Sequence, residues 1–231
     1  MGIILNIETA TKNCSVSVSK NEEILSLKEL NEGKFSHSEK LHSFILEVID
    51  NAGLSMDDLD AVAVSKGPGS YTGLRIGVSA AKGLCYALNK PLISVPTLEN
   101  IALQISLKED ELAVPLLDAR RMEVYSAVYD KDHRQIRATK AEIISETSFQ
   151  GFLKKGIVYF AGDGAEKCKE VIRHENARFL SSVYPSSREM SIIAARKFKS
   201  EDFEDVAYFE PFYLKDFVAG KPKNYFKTAS R

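Results

Sequence analysis

The 231-residue chain has 44% hydrophobic and 27% charged residues, enough core for one large domain or two small ones. With 31 Lys+Arg against 32 Asp+Glu, its formal charge of −1 excludes a broad electrostatic grip on nucleic acid but leaves local RNA contact open. Cys14, Cys85 and Cys168 are odd in number and widely spaced, as in reduced thiols of a cytoplasmic protein rather than a disulfide framework, and no run approaches membrane-span length.

In chain order, Ile3–Ile7 is an apolar strand, and the polar turn from Thr9 to Asn13 follows it. Cys14–Ser19 alternates apolar and polar residues, as a half-buried strand does, and a third strand follows at about Ile24–Leu30. Ser36 with Glu39 has the spacing of a capping box. Leu41, Phe44, Ile45, Val48, Ile49 and Ala52 then mark one face of a helix ending near Gly53. The strand Asp60–Ser65 leads into the run Gly67-Pro68-Gly69-Ser70-Tyr71-Thr72-Gly73-Leu74-Arg75-Ile76-Gly77 and a small-residue helix to Leu88. A strand at Leu92–Val95 and a helix from Pro96-Thr97 to about Lys108 close the first half.

The second half repeats the scheme. Val114-Pro115-Leu116-Leu117-Asp118 stands where Ile4-Leu5-Asn6-Ile7-Glu8 stood, with an acid at the same place. Val124–Tyr129 alternates as Cys14–Ser19 does. A third strand at about Gln135–Ile144, a short helix near Thr147–Lys154 and the strand Ile157–Ala161 follow. Gly162-Asp163-Gly164 takes the place of Gly67-Pro68-Gly69 before a helix near Ala165, and a last helix spans about Arg188–Lys199. Two copies of βββαβα, each closing its first strand with an acid, predict an α/β protein with a duplicated actin-like, or ribonuclease H-like (ASKHA), fold divided into residues 1–110 and 111–231.

The glycine run supports two uses. A helix opening after a glycine turn offers free N–H groups and a positive dipole end to an anion. Yet the run is neither GxxxxGK[ST] nor GxGxxG. Gly73, Gly77 and Ala81 recur every four residues, so they line one helical face along which another backbone can approach closely. The candidate cleft residues are Glu8, Gly67, Gly69, Ser70, Asp118, Arg120, Arg121, Gly162 and Gly164. Glu8 is either an acid that holds metal or water, or part of a hairpin turn shaped by Thr9 and Asn13. Because that turn contains no glycine, it is poorly suited to wrapping phosphate. Arg120 and Arg121 either meet an anion or fix the turn through Asp118 or Glu123.

His37 and His42 are five apart, which separates them by roughly 140° on a helix and removes a metal pair. Without HExxH or GxSxG, peptidase chemistry has no support. A small actin-like kinase built on Glu8, Asp118 and Mg–nucleotide remains the alternative function. The tail Lys215–Arg231 holds five basic residues and the single acid Asp216, with Tyr225 and Phe226 among them, a composition read as either a solubilising tail or an RNA contact.

Five stretches carry a family resemblance: ILNIETATKNCSVSV at the N-terminus, HSEKL at 37–41, SKGPGSYTGLRIG at 65–77, DARRMEVY at 118–125 and PFYL at 211–214. Through them the chain resembles the TsaB, or YeaZ, family of tRNA threonylcarbamoyladenosine synthesis. The resemblance implies a non-catalytic subunit with no cofactor of its own, with ATP, Mg and metal carried by its partners. Those partners are a TsaD-like catalytic subunit and a TsaE-like ATPase, with tRNA met through the complex and a homodimer formed when the partner is absent. The group transferred is a threonylcarbamoyl, and the acceptor is N6 of the adenosine immediately 3′ of the anticodon. The usual acid after the first strand in this family is Asp, whereas here it is Glu8. The expected partner surface comprises Gly73, Gly77 and Ala81 with His37, Leu41, Phe44 and Leu46 of the preceding helix.

Overall fold

A computed structural model describes residues 2–33 and 36–214; the basic tail from residue 215 lies outside the described residues. Strands β1 (Ile3–Glu8), β2 (Cys14–Lys20) and β3 (Glu23–Leu30) form an antiparallel meander. Helix α1 (His37–Asn51) returns the chain, so β4 (Ala61–Gly67) pairs parallel with β1. Helix α2 (Tyr71–Leu88) then brings in β5 (Leu92–Pro96) beside β4, and the short α3 (Thr97–Ala102) follows. The second half has β6 (Leu112–Asp118), β7 (Glu123–Tyr129), β8 (Gln135–Ile143), α4 (Gln150–Leu153), β9 (Val158–Ala161), α5 (Ala165–Lys169), β10 (Ala177–Phe179) and α6 (Ser187–Lys199).

The two sheets run β3-β2-β1-β4-β5 and β8-β7-β6-β9-β10, the same order built from the same connections. This is the duplicated actin-like arrangement expected from the sequence. In each half the meander is closed by a strand parallel to its first member. Such a parallel pair requires a crossover, which α1 and α4 supply.

Leu41, Phe44, Ile45, Val48 and Ile49 of α1 and Val78, Ala81 and Cys85 of α2 pack on one face of the first sheet, against Leu5, Ile7, Val16, Val62 and Val64. The opposite face takes α6, whose Met190, Ile193 and Ala194 meet Ile4, Ala61, Ala63 and Ile93. The last helix of the second half therefore covers the first sheet. Its seat is partly polar: the Ser15 and Ser187 hydroxyls bond at 2.6 Å, Ser17 donates to the Ser187 carbonyl at 2.9 Å, and Asn6 Nδ2 donates to Ser17 and Ser19. Bonded in this way, the serine hydroxyls and the Asn6 amide nitrogen escape the penalty of going unpaired, whereas the buried Asn6 Oδ1 has no partner among the described residues.

Two local expectations change, and one strand is added. Ser36 precedes α1 but makes no side-chain cap bond; the capping box lies instead at Ser55 and Asp58, before a short 3₁₀ turn. Helix α3 stops at Ala102 rather than near Lys108, because a short crossing suffices to carry Leu98 and Ile101 into the apolar layer beside β6 and β7. Strand β10 pairs parallel with β9, yet its three residues are too few to show an alternating pattern. Among the described residues, no helix is long and apolar enough to cross a membrane.

Candidate partner surface and interlobe cleft

The glycine run has its observed shape because two other segments press on it. Gly67 has φ of +104°, and a Cβ there would stand 2.9 Å from the Phe212 carbonyl oxygen. The Phe212 N–H donates to Lys66 O at 2.7 Å, so the chain at PFYL crosses the turn directly. Tyr213 packs on Tyr71 with ring centroids 4.9 Å apart, and Arg75 lies 4.2 Å over the Tyr71 ring. The strap thereby ties the C-terminal segment to the first turn of α2. On the other side, Gly69 presses on Ala10, whose carbonyl accepts from Ser70 N at 2.7 Å.

Several N–H groups around this turn are bonded within the chain. Ser70 caps α2 by accepting from Gly73 N, Leu74 N returns to Ser70 O, Thr9 N donates to Ser65 Oγ, and Ala10 N donates to Glu8 Oε1 at 2.6 Å. In the second half, Gly162 (φ +107°) presses on the Leu116 carbonyl, which accepts from Gly164 N at 3.0 Å. In each half a backbone carbonyl of the first strand or of the turn after it packs against the glycine turn.

Glu8 is fully buried. Desolvation pushes its carboxyl up to about 7 despite the hydrogen bonds from Ala10, Ser65 and Thr9, and Oε2 has no hydrogen-bond partner. Asp118 is exposed and paired with Lys167. The two acids thus differ: one is sealed in the sheet, while the other is held by a lysine. Among the described residues, no group of three His, Cys, Asp or Glu side chains is placed to hold a metal ion. Between the halves lies a polar cleft of about 340 Å³, lined by Asn13, Glu29, Tyr184, Arg188 and Glu189 among others. None of the expected cleft residues lines it.

The expected partner face is corrected as well. Gly73, Gly77 and Ala81 are buried and face inward, the two glycines against Thr9. His37 is buried, its Nε2 lying 2.7 Å from Thr11 O, and burial draws its pKa down. Leu41 and Phe44 are core residues. Close backbone packing does occur along this helical face, but with the chain's own turn after β1. Of that set only Leu46 reaches solvent, 63% exposed. Tyr86 on α2, at 87%, was not anticipated; its signal was its position off the Val78–Ala81–Cys85 stripe. Both are exposed side chains on the helices that cover the first sheet.

In the second half, Asp118, Arg120 and Arg121 lie at the β6–β7 hairpin turn. Asp163, from the Gly162–Gly164 turn, accepts the Asp118 N–H at 2.9 Å, and desolvation raises its pKa. Lys167, which sequence reasoning missed, bonds Arg121 O at 2.8 Å and Glu123 O at 2.6 Å as well as Asp118.

A sequence-family profile described as "TsaD: tRNA N6-adenosine threonylcarbamoyltransferase" matches residues 32–223. The chain is 30% identical over 228 residues to the tRNA threonylcarbamoyladenosine biosynthesis protein TsaB of Escherichia coli K12, covering 94% of this chain and 96% of that protein. It is 32% identical over 126 residues to the protein of the same name from Bacillus subtilis 168, covering 54% of each. In fold it is similar to a Pseudomonas aeruginosa protein described as having similarity to peptidase YEAZ, with a TM-score of 0.82, 23% identity, and coverage of 93% of this chain and 100% of that one.

Proposed function

The chain belongs to the TsaB (YeaZ) family of tRNA threonylcarbamoyladenosine biosynthesis proteins, and on that premise we propose that it is the non-catalytic partner subunit of the transfer. Its partner is a TsaD-like catalytic subunit, joined by a TsaE-like ATPase. Together they place a threonylcarbamoyl group on N6 of the adenosine 3′ of the anticodon. The chain carries no cofactor of its own; metal and Mg–ATP belong to the partners.

The observation that carries this reading is a pair of exposed large apolar side chains on the neighbouring helices α1 and α2. Leu46 and Tyr86 remain in water on two helices whose main apolar stripes are buried or partly buried against the sheet. An exposed aliphatic and an exposed aromatic on adjacent rigid helices are the anchors a protein interface uses. The same face serves self-association when the catalytic subunit is absent. The glycine turns pack on the chain's own backbone, at Ala10 and Leu116, which agrees with this reading.

The test is tRNA modification by the catalytic subunit and the ATPase, with and without this chain. The reading requires that product formation depend on the chain and that calorimetry of the chain alone with ATP and Mg²⁺ show no binding. Turnover of ATP by the isolated chain would reject it.

A further inference from the structure

The β6–β7 hairpin turn is built at a conformational cost that its own packing does not explain. Arg120 and Arg121 have φ of +69° and +52°, the left-handed region that Asn and Gly occupy easily and arginine does not. Neighbouring groups hold this backbone firmly. Arg120 N donates to Asp118 Oδ1 at 2.9 Å, Glu123 N donates to Arg120 O at 3.2 Å, and Lys167 ties Asp118, Arg121 O and Glu123 O together. Both arginine side chains are exposed, and among the described residues neither guanidinium has a hydrogen-bond or ion-pair partner. Asp118 is itself engaged by Lys167, and Asp163 accepts the Asp118 N–H. A turn selected only for its shape would place Asn or Gly at these positions. Strain kept for two unpaired guanidiniums marks what they present to a ligand.

We propose that the Arg120–Arg121 turn binds phosphate, and that the phosphate it takes is in the tRNA backbone. The choice of RNA rests on the partner-subunit reading above. A guanidinium matches a phosphate through paired N–H donors, and a turn held by Lys167 presents two of them without an ordering cost at the moment of contact. The chain's net charge of −1 means that any grip on RNA has to be local, and this turn is local. Met122, 37% exposed, and Ile143, 74% exposed, flank the arginines, joined by the bond from Ile144 N to Met122 O. They offer apolar contact to sugar or base beside the phosphate.

The experiment measures binding of a tRNA transcript by fluorescence anisotropy over a series of salt concentrations, with the full chain alone and with the catalytic subunit added. No turnover is needed, so this arm reads the inference even if the chain fails to stimulate transfer. Two double variants are compared with wild type: Arg120→Gln with Arg121→Gln, and Arg120→Asn with Arg121→Gly. The second keeps and relaxes the left-handed turn, so it unfolds at a higher temperature than wild type. Both weaken tRNA binding about tenfold and make the slope of log affinity against log salt shallower by about 1 to 2, the change expected for one or two lost phosphate contacts. A relaxed variant that is more stable and binds tRNA with unchanged affinity and slope overturns the inference, as does a wild type that binds no tRNA in either setting. Loss of the catalytic subunit in co-purification would assign the turn to a protein carboxylate, and a raised KM for ATP alone would assign it to a nucleotide phosphate. Either result also overturns it.

Discussion

Gly77 lies against Thr9: a Cβ at position 77 would overlap the Thr9 hydroxyl, and that same hydroxyl donates to the Gly73 carbonyl at 2.8 Å. One threonine in the turn after β1 thus serves two turns of α2, filling the space at Gly77 and bonding the backbone at Gly73. The helix sits close to the sheet because these positions have no side chains.

Substitution along this face should therefore damage the fold before it affects any partner. Gly77→Ala is expected to cost about 1–3 kcal/mol as overpacking. Replacing Thr9 with Ala in the same chain should recover part of the loss, since the clash is with its hydroxyl. Gly73→Ala meets the Thr9 backbone carbonyl instead, so Thr9→Ala should not rescue it. Denaturant melts of the two pairs check this, and equal rescue at both positions would count against the packing described.

The strand order and the duplication were legible because each half writes the same pattern: an apolar strand ending in acid, an alternating strand, then a glycine turn into a helix. The spacing of Gly73, Gly77 and Ala81 was legible too, as close packing, but not what packs there. A small-residue stripe says that something approaches the helix, and it reads the same whether that is a partner or the chain's own turn. The covering of the first sheet by α6 was illegible for a similar reason, since apolar positions such as Met190 and Ile193 do not name the sheet they meet. Lys167 was missed because its bonds go to backbone carbonyls 44 and 46 residues away, which no local motif records.

The partner face should separate binding from folding. Leu46→Asp and Tyr86→Ala remove exposed apolar surface only, so the melting temperature of the isolated chain should stay within about 2 °C, the range of surface substitutions. Co-purification with the catalytic subunit should fall at least tenfold for the pair, given hot-spot losses of about 2 kcal/mol each. Retained co-purification would move the interface elsewhere.

The strap offers a test of how the C-terminal segment supports α2. Tyr213→Ala removes the ring packed on Tyr71 at 4.9 Å and the side-chain hydrogen bond to Arg75. The loss should be about 1 kcal/mol overall. Amide exchange at Gly73, Leu74 and Arg75 should accelerate, while exchange in β6 and β7 should not change. Uniform acceleration across both halves would mean that the strap stabilises the whole chain rather than the start of α2.

Glu8 gives the chain a pH dependence of defined sign. Its carboxyl is raised from 4.5 to about 7 in the fold, so between those values the folded state holds a proton that the unfolded state has released. Stability from this group is therefore fully present below about pH 4.5 and is lost as pH rises through about 7. The shift corresponds to about 3 kcal/mol. Asp163 and Glu189 are also raised by burial and His37 is lowered by it, so the wild-type curve alone mixes several groups. Glu8→Gln keeps the shape of the protonated acid and removes its titration, and subtracting its stability curve from that of wild type isolates position 8. The difference should turn against wild type by about 3 kcal/mol between pH 4.5 and 8. A difference that stays flat would mean that Glu8 ionises as readily in the sheet as in the unfolded chain, which its full burial and unpaired Oε2 oppose.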